Sequence, residues 1–294
     1  MRLQPKRLRP GEILGLCQGP VVRVKKSMGQ NFCIDQNLFR EVIERLSPHP
    51  SEEIWEIGPG LGSLTEHLIR TGVPVQTFEL DERLKKPLAE KFPEGVRFQW
   101  GDFLQFPLET MTPGAGNYVV CGNLPYYCGT PIIRKVLWLN PPPRKMVFVL
   151  QEEVVRKAVS LPDSRDYGFL SAQLQLFAEV KIGTIFPPSS FSPRPKVSSA
   201  ILEIVPKVLS AAEVRCRNMA LHLLSIMLRE RRKMSLNLLN RAIKLPWDEH
   251  FARCGLPRGI RGEAIPFQTL IDLASGLPEE AYPKDFRDKP GGNT

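Results

Sequence analysis

Seven short groups of residues in this chain are of types and spacings that could do chemistry. In EIGPGLGSLT at 56–65, Gly58, Gly60 and Gly62 follow a strand-like run and precede a helix-like one. Glycines let the backbone turn tightly and approach a ligand without a Cβ clash. The G-x-G-x-G spacing is one residue short of the dinucleotide fingerprint, and no Lys-Ser/Thr follows as in a phosphate-binding loop. It suits S-adenosylmethionine, which has a zwitterionic amino-acid end and no phosphate; the alternative is a tight β–α turn with no ligand. Glu79 ends the run TFEL, placed to accept hydrogens from both ribose hydroxyls, or else to act as a surface or capping acid. Asp102, in GDF, closes VRFQW and can accept from an adenine amino group or cap a helix.

NLPY at 123–126 is the sharpest local pattern. A ring amino nitrogen is a poor nucleophile because its lone pair is delocalised into the ring. The Asn123 side-chain oxygen and the Leu124 carbonyl could accept its two hydrogens, Pro125 fixes the turn, and the Tyr126 ring could stack on the base. Such catalysis is positioning plus charge compensation, without a strong base. A Pro-centred turn with a half-buried Tyr is the structural alternative. In FPPSSFSPRPKVSSAILEI at 186–204, prolines are expected to stiffen the loop and expose the Phe191 ring beside Arg194 and Lys196, as a flipped base requires. Otherwise the stretch is a connector before a strand. KKSMGQNF at 25–32 places Lys25 and Lys26 before a Gly turn and then Asn31; alone it reads as a helix entry. Arg229, Arg231, Arg232 and Lys233 are expected on one or two helical turns, as phosphate contacts or as a solvated face.

These groups need a scaffold. Helical patterns are predicted over 36–47, 64–70, 81–92, 131–139 and 152–161, and strands over 53–58, 73–80, 96–100, 118–121 and 145–151. Nearly continuous apolar strands alternating with helices imply an α/β fold with a doubly wound, mostly parallel sheet, whose ligands sit at the carboxyl ends of its strands. After Pro206 the alternation stops and helices are expected over 211–228, 229–243 and 267–274. The predicted organisation is a flexible basic arm (1–24), a ligand-binding domain (25–205) and a small, basic, all-helical domain (206–294).

The 294 residues are 42% hydrophobic and 24% charged, with net charge +9, as in a globular protein rather than a disordered chain. Residues 1–26 hold seven basic residues and one acid; 205–262 hold twelve and four. Two basic regions around a nearly neutral middle point to a polyanionic partner. No apolar run is long enough for a transmembrane span, and no secretory signal is expected. Six scattered cysteines without a C-x-x-C pair imply reduced thiols and no zinc site.

Together these motifs resemble the ribosomal RNA adenine dimethyltransferase family over roughly 25–275. The match includes GQNF, EIGPGLGSLT, Glu79, GDF, NLPY, QEEVVRKAVSLPDSRDYGFLSAQLQ at 151–175, FSPRPKVSSA, RRKMSLNLL at 231–239 and RGEAIPFQTLIDLA at 261–274. The resemblance implies a Rossmann-like class I methyltransferase fold and transfer of methyl groups from S-adenosylmethionine to two adjacent adenines near the 3′ end of small-subunit rRNA. The expected setting is a pre-30S particle in the cytoplasm, with a monomeric enzyme and no metal. It implies cofactor contacts at Asn31, Cys33, Gly58, Glu79, Asp102 and Asn123, with Gly60 in the same loop. Two departures stand out: the family usually has Leu in place of Cys33, and often Asn-Ile-Ser in place of Tyr127-Cys128-Gly129. The alternatives are a large-subunit rRNA adenine methyltransferase of the macrolide-resistance type and a non-catalytic ribosome assembly factor.

Overall fold

The computed structural model describes residues 12–13, 22–23, 31–113, 117–125 and 128–282. Lys25, Lys26 and Tyr126 therefore lie outside the described residues, as does the expected arm apart from a two-residue antiparallel pair, Glu12–Ile13 with Val22–Arg23. The chain forms two compact units. One comprises residues up to Val155 with Ile182–Ile204; the other comprises Arg156–Lys181 with the residues from Val205 on. The single division expected at 205 thus differs from this grouping, which puts 156–181 in the helical unit.

The sheet strands of the first unit are β1 (Glu53–Ile57), β2 (Val75–Glu79), β3 (Val96–Trp100), β4 (Tyr118–Asn123) and β5 (Lys145–Gln151), with Ile182–Phe186 of β6 (Ala178–Phe186) and Ser199–Ile204 of β7 (Ser199–Pro206). Their spatial order is β3-β2-β1-β4-β5-β7-β6. The first five are parallel, and β7 runs antiparallel to β5. This is the doubly wound, mostly parallel sheet expected from the sequence. The order reverses between β1 and β4, where such sheets open a ligand crevice.

Register decides what faces that crevice. Ile54 lies opposite Val75 and Val119, and Glu56 opposite Thr77 and Cys121. Side chains alternate along a strand, so Ile54, Val75 and Val119 share a face with Glu56, Glu79 and Asn123. The apolar members join the core with Leu38, Phe39, Val42 and Leu46 from helix α1 (Gln36–Leu46). Burying each such side chain contributes about 1.5–3 kcal/mol. Towards the carboxyl ends the same face turns polar. An aromatic cluster also packs around β1 and β2. Trp55 meets Phe78 at 5.2 Å and Tyr118 at 4.8 Å, and Phe78 meets the edges of Phe103 at 5.0 Å and Phe106 at 5.5 Å.

The second unit is mainly helical. Phe169–Phe177 packs on Ala211–Leu228. At the first helix's C-terminus, where cations are favoured, Lys207 donates to the Gln175 carbonyl at 2.6 Å and Arg217 to the Leu176 carbonyl at 2.7 Å. These contacts bind 156–181 to the residues beyond 205. Ser210 and Glu213 form a capping box at the start of Ala211–Leu228.

The helix expected over 229–243 is corrected. The preceding helix stops at Leu228, residues 229–234 form a turn closed by Lys233 N–H donating to the Glu230 carbonyl at 2.8 Å, and a new helix spans Ser235–Ala242. Residues 229–233 are five consecutive charged, exposed residues. With no apolar position among them, nothing draws a helical turn there onto the core.

Candidate active site

An open cleft lies at the carboxyl ends of β1, β2 and β4, where doubly wound sheets place their ligands. Of the residues proposed for the cofactor, Asn31, Cys33, Gly58, Gly60, Glu79 and Asn123 line it, with Leu124 and Pro125. Asp102 is not among its lining residues.

The glycine turn forms one wall. Gly60 has φ +56°, and a Cβ there would come within 2.9 Å of the Phe32 ring. Its N–H donates to Glu79 Oε2 at 3.1 Å, while Glu79 Oε1 accepts from the Asp81 N–H at 2.8 Å. Helix α2 (Ser63–Ile69) leads away from the turn. Lys91, on α3 (Lys85–Lys91), braces the turn from behind, donating to the Leu61 and Gly62 carbonyls at 3.2 and 3.3 Å.

Burial raises the Glu79 carboxyl above its ordinary range, opposed by the Asp81 and Gly60 amides. Glu56 has no role assigned in the sequence reading, yet it is a second buried acid in the cleft. It is 1% exposed and accepts from the Thr65 hydroxyl at 2.6 Å. Desolvation pushes its pKa up to about 8, with Glu79's charge adding to the rise. The available signal is a carboxylate between the apolar residues Trp55 and Ile57, inside the strand EIWEI.

Asn123 ends β4. Gly122 before it is required by close approach, since a Cβ there would sit 2.4 Å from the Ile57 carbonyl oxygen. Asn123 Nδ2 donates to the Asn31 carbonyl at 3.0 Å, which orients the amide and leaves Oδ1 as its acceptor for a ligand. Leu124, 1% exposed, extends the ladder through its N–H to the Val149 carbonyl at 3.1 Å. The Pro125 carbonyl accepts from the Cys128 N–H at 3.2 Å, just before helix α4 (Gly129–Leu137).

The exposed ring expected at Phe191 is corrected. Phe191 is 3% exposed and belongs to the core cluster. The strand Phe191–Ser192 pairs antiparallel with Phe32–Cys33, placing Phe191 opposite Cys33. The prolines hold a segment that docks on the sheet unit, and Ser190 Oγ donates to Asp35 Oδ2 at 2.8 Å to pin it. Cys33 is likewise buried, and desolvation pushes its thiol pKa up to about 12. Asp102 is exposed, with Oδ1 accepting from the Leu104 N–H at 2.9 Å to cap the turn Phe103–Gln105.

Arg194, Lys196, Arg229, Arg231, Arg232 and Lys233 are all exposed. They are not equivalent. Arg231 donates to the Tyr167 carbonyl at 2.7 Å, and Lys233 pairs with Glu230 at 2.5 Å.

The donor set identifies the kind of ligand that fits the cleft. Two carboxylates line it, and no Lys or Arg does among the described residues. A pyrophosphate would find no cation there, whereas S-adenosylmethionine, whose net charge is positive, would favour ionisation of the two acids. The residues therefore fit S-adenosylmethionine. Among the described residues no His, Cys, Asp and Glu side chains group to hold a metal, and no helix is long and apolar enough to cross a membrane.

Comparison with known proteins agrees with this geometry. The family model for ribosomal RNA adenine dimethylase matches residues 21–245. The chain is 36% identical over 258 residues to ribosomal RNA small subunit methyltransferase A of Aromatoleum aromaticum, covering 86% of this chain and 94% of that one. It is 33% identical over 268 residues to the protein of the same name from Geobacter sulfurreducens, covering 88% and 97%. In fold it is similar to a dimethyladenosine transferase from Plasmodium falciparum, with TM-score 0.68 and 20% identity over 82% of this chain and 95% of that one. It is also similar to the 23S rRNA methyltransferase ErmE, with TM-score 0.64 and 24% identity over 83% and 98%. The chain belongs to the ribosomal RNA adenine dimethylase family.

Proposed function

We propose that this protein uses S-adenosylmethionine to dimethylate the N6 amino groups of two adjacent adenosines near the 3′ end of small-subunit rRNA, acting as a cytoplasmic monomer on a pre-30S particle. The observation that carries the reading is the Asn123 amide, anchored on the Asn31 carbonyl at the edge of a cleft whose ionisable groups include two carboxylates and no cation. The relatives named as small-subunit enzymes favour that substrate over large-subunit rRNA.

When bound, the donor supplies an electrophilic methyl group on a sulfonium. Glu79 holds its ribose, Asp102 accepts from its adenine amino group, and the Gly58–Gly60 turn lets the backbone lie against it. Asn123 Oδ1 and the Leu124 carbonyl accept the two hydrogens of the target amine, turning its nitrogen towards the methyl. As positive charge develops on that nitrogen, these acceptors stabilise it more than they stabilise the neutral amine. Tyr126 stacks on the base. Phe191, walled into the core, supports the Phe32–Cys33 strand instead of covering the base. The proton leaves to water. The singly methylated amine keeps one hydrogen, so the same acceptors can orient it for a second transfer. Lys25, Lys26, Arg194, Lys196, Arg229, Arg231, Arg232 and Lys233 contact rRNA phosphates.

Labelled-methyl incorporation distinguishes the readings. Undermethylated small-subunit particles are expected to accept up to four methyl groups on two adjacent adenosines. Label in large-subunit rRNA instead, or in neither, would overturn the assignment.

A further inference from the structure

We propose that Lys135 is a positioning residue for donor selectivity, holding the turn that carries Asp102 against the helix that follows the Asn123–Pro125 segment. The inference deepens the proposed function and rests on its assignment of Asp102 to the adenine amino group.

Lys135 lies on α4, whose Ile132, Ile133, Val136 and Leu137 are buried. Its ammonium donates to the Leu104 carbonyl and the Phe106 carbonyl, both at 2.7 Å. Leu104 is bonded at both ends, because its N–H donates to Asp102 Oδ1 at 2.9 Å. A continuous chain therefore runs from Lys135 through Leu104 to the Asp102 carboxylate. Oδ1 is committed to the cap, so Oδ2 is the oxygen offered to a ligand.

The turn is held from its other side by Phe103 and Phe106 against Phe78. Carbonyls only accept, and two of them directed at one point need a donor between them. A half-buried ammonium meets that need with charge-assisted bonds. Desolvation lowers its pKa, while Glu109 and Asp102 favour the charged form. The aromatic contacts fix where the turn sits, and Lys135 fixes how its backbone is rotated. That rotation aims Asp102. Because Lys135 rides on α4, the turn is registered to the helix that begins at Gly129, four residues after Pro125.

The test is calorimetry on the RNA-free protein with S-adenosylhomocysteine and S-inosylhomocysteine, which differ at the exocyclic amino group. Wild type is expected to prefer the adenosyl ligand, and Asp102→Ala to lose that preference. Lys135→Met, which keeps the aliphatic stem, is expected to reduce the preference about tenfold, with inosyl affinity little changed. Lys135→Arg, which can still donate to both carbonyls, should keep it. In the Asp102→Ala background Lys135→Met should change nothing further, an outcome that general loosening would not give. Should Lys135→Met fail to fold in a thermal scan, Lys135→Gln, with part of the donor set, should give a partial loss. If Asp102→Ala abolishes the preference and the Lys135 variants retain it in full, the inference is wrong and the Asp102 assignment stands. If Asp102→Ala itself retains the preference, that assignment fails and the inference with it.

Discussion

The cleft and the basic turn at 229–234 are built on opposite principles. In the cleft, polar groups are buried or half-buried and tied. Asn123 is held by the Asn31 carbonyl, Glu79 by the Gly60 and Asp81 amides, and Glu56 by the Thr65 hydroxyl. In the turn, Arg229 and Arg232 stand in solvent. Pre-organised groups in a desolvated site are effective where charge develops during reaction. Exposed cations instead attract phosphates through counterion release, which is strong in sum and sensitive to salt. The difference teaches that rate and affinity are assigned to different parts of the chain, and that substitutions should separate them.

The largest effect is expected at Asn123. Asn123→Ala removes an acceptor that matters most as charge develops, and kcat should fall by about 10²–10³, measured with saturating particles. Next, Arg229→Ala with Arg232→Ala should leave kcat alone and weaken particle binding. Each lost phosphate contact should flatten the log–log salt dependence by about 0.7–0.9, measured as particle affinity at several salt concentrations. Arg231→Ala should behave differently from that pair, because its guanidinium ties the Tyr167 carbonyl. It should cost about 1–3 kcal/mol of stability, read by denaturant unfolding.

A pH slope is also expected from Glu56. Its native pKa of about 8 lies above the ordinary value of 4.5. Between those values the native state keeps a proton that the unfolded state releases. Stability of the ligand-free protein should therefore fall as pH rises through that window, by up to about 1.4 kcal/mol per pH unit. Affinity for a cationic donor should rise as pH approaches 8, where the native acid ionises, and level off above it. Glu56→Gln should flatten both slopes, read by unfolding and by calorimetry.

Much of this was legible in the sequence because it is local. The glycine turn follows directly on a strand, Glu79 and Asn123 end theirs, and period two places these two side chains on one face. Features that the sequence does not show depend on distant partners. Phe191 is buried because its short strand pairs with Phe32–Cys33, and neighbouring prolines say nothing of that partner. The Lys135 ammonium finds carbonyls about thirty residues away, and a lysine in a helix otherwise reads as a solvated charge. The stretch 229–233 offers no apolar face, so a turn forms where the sequence predicts a helix. Strand β6 escaped because most of its residues are exposed or half-buried, which erases the apolar run that marks the other strands.

Single-turnover methyl transfer to undermethylated small subunits at saturating donor, titrated with particles at two salt concentrations, tests the division of labour most directly. Asn123→Ala should give a plateau rate about 10²–10³ lower at an unchanged half-saturating particle concentration. The Arg229→Ala/Arg232→Ala pair should reach the wild-type plateau at a higher particle concentration, with a weaker dependence on salt. An Asn123→Ala protein that reached the wild-type plateau would contradict the account, because the anchored amide would then have no part in the transfer.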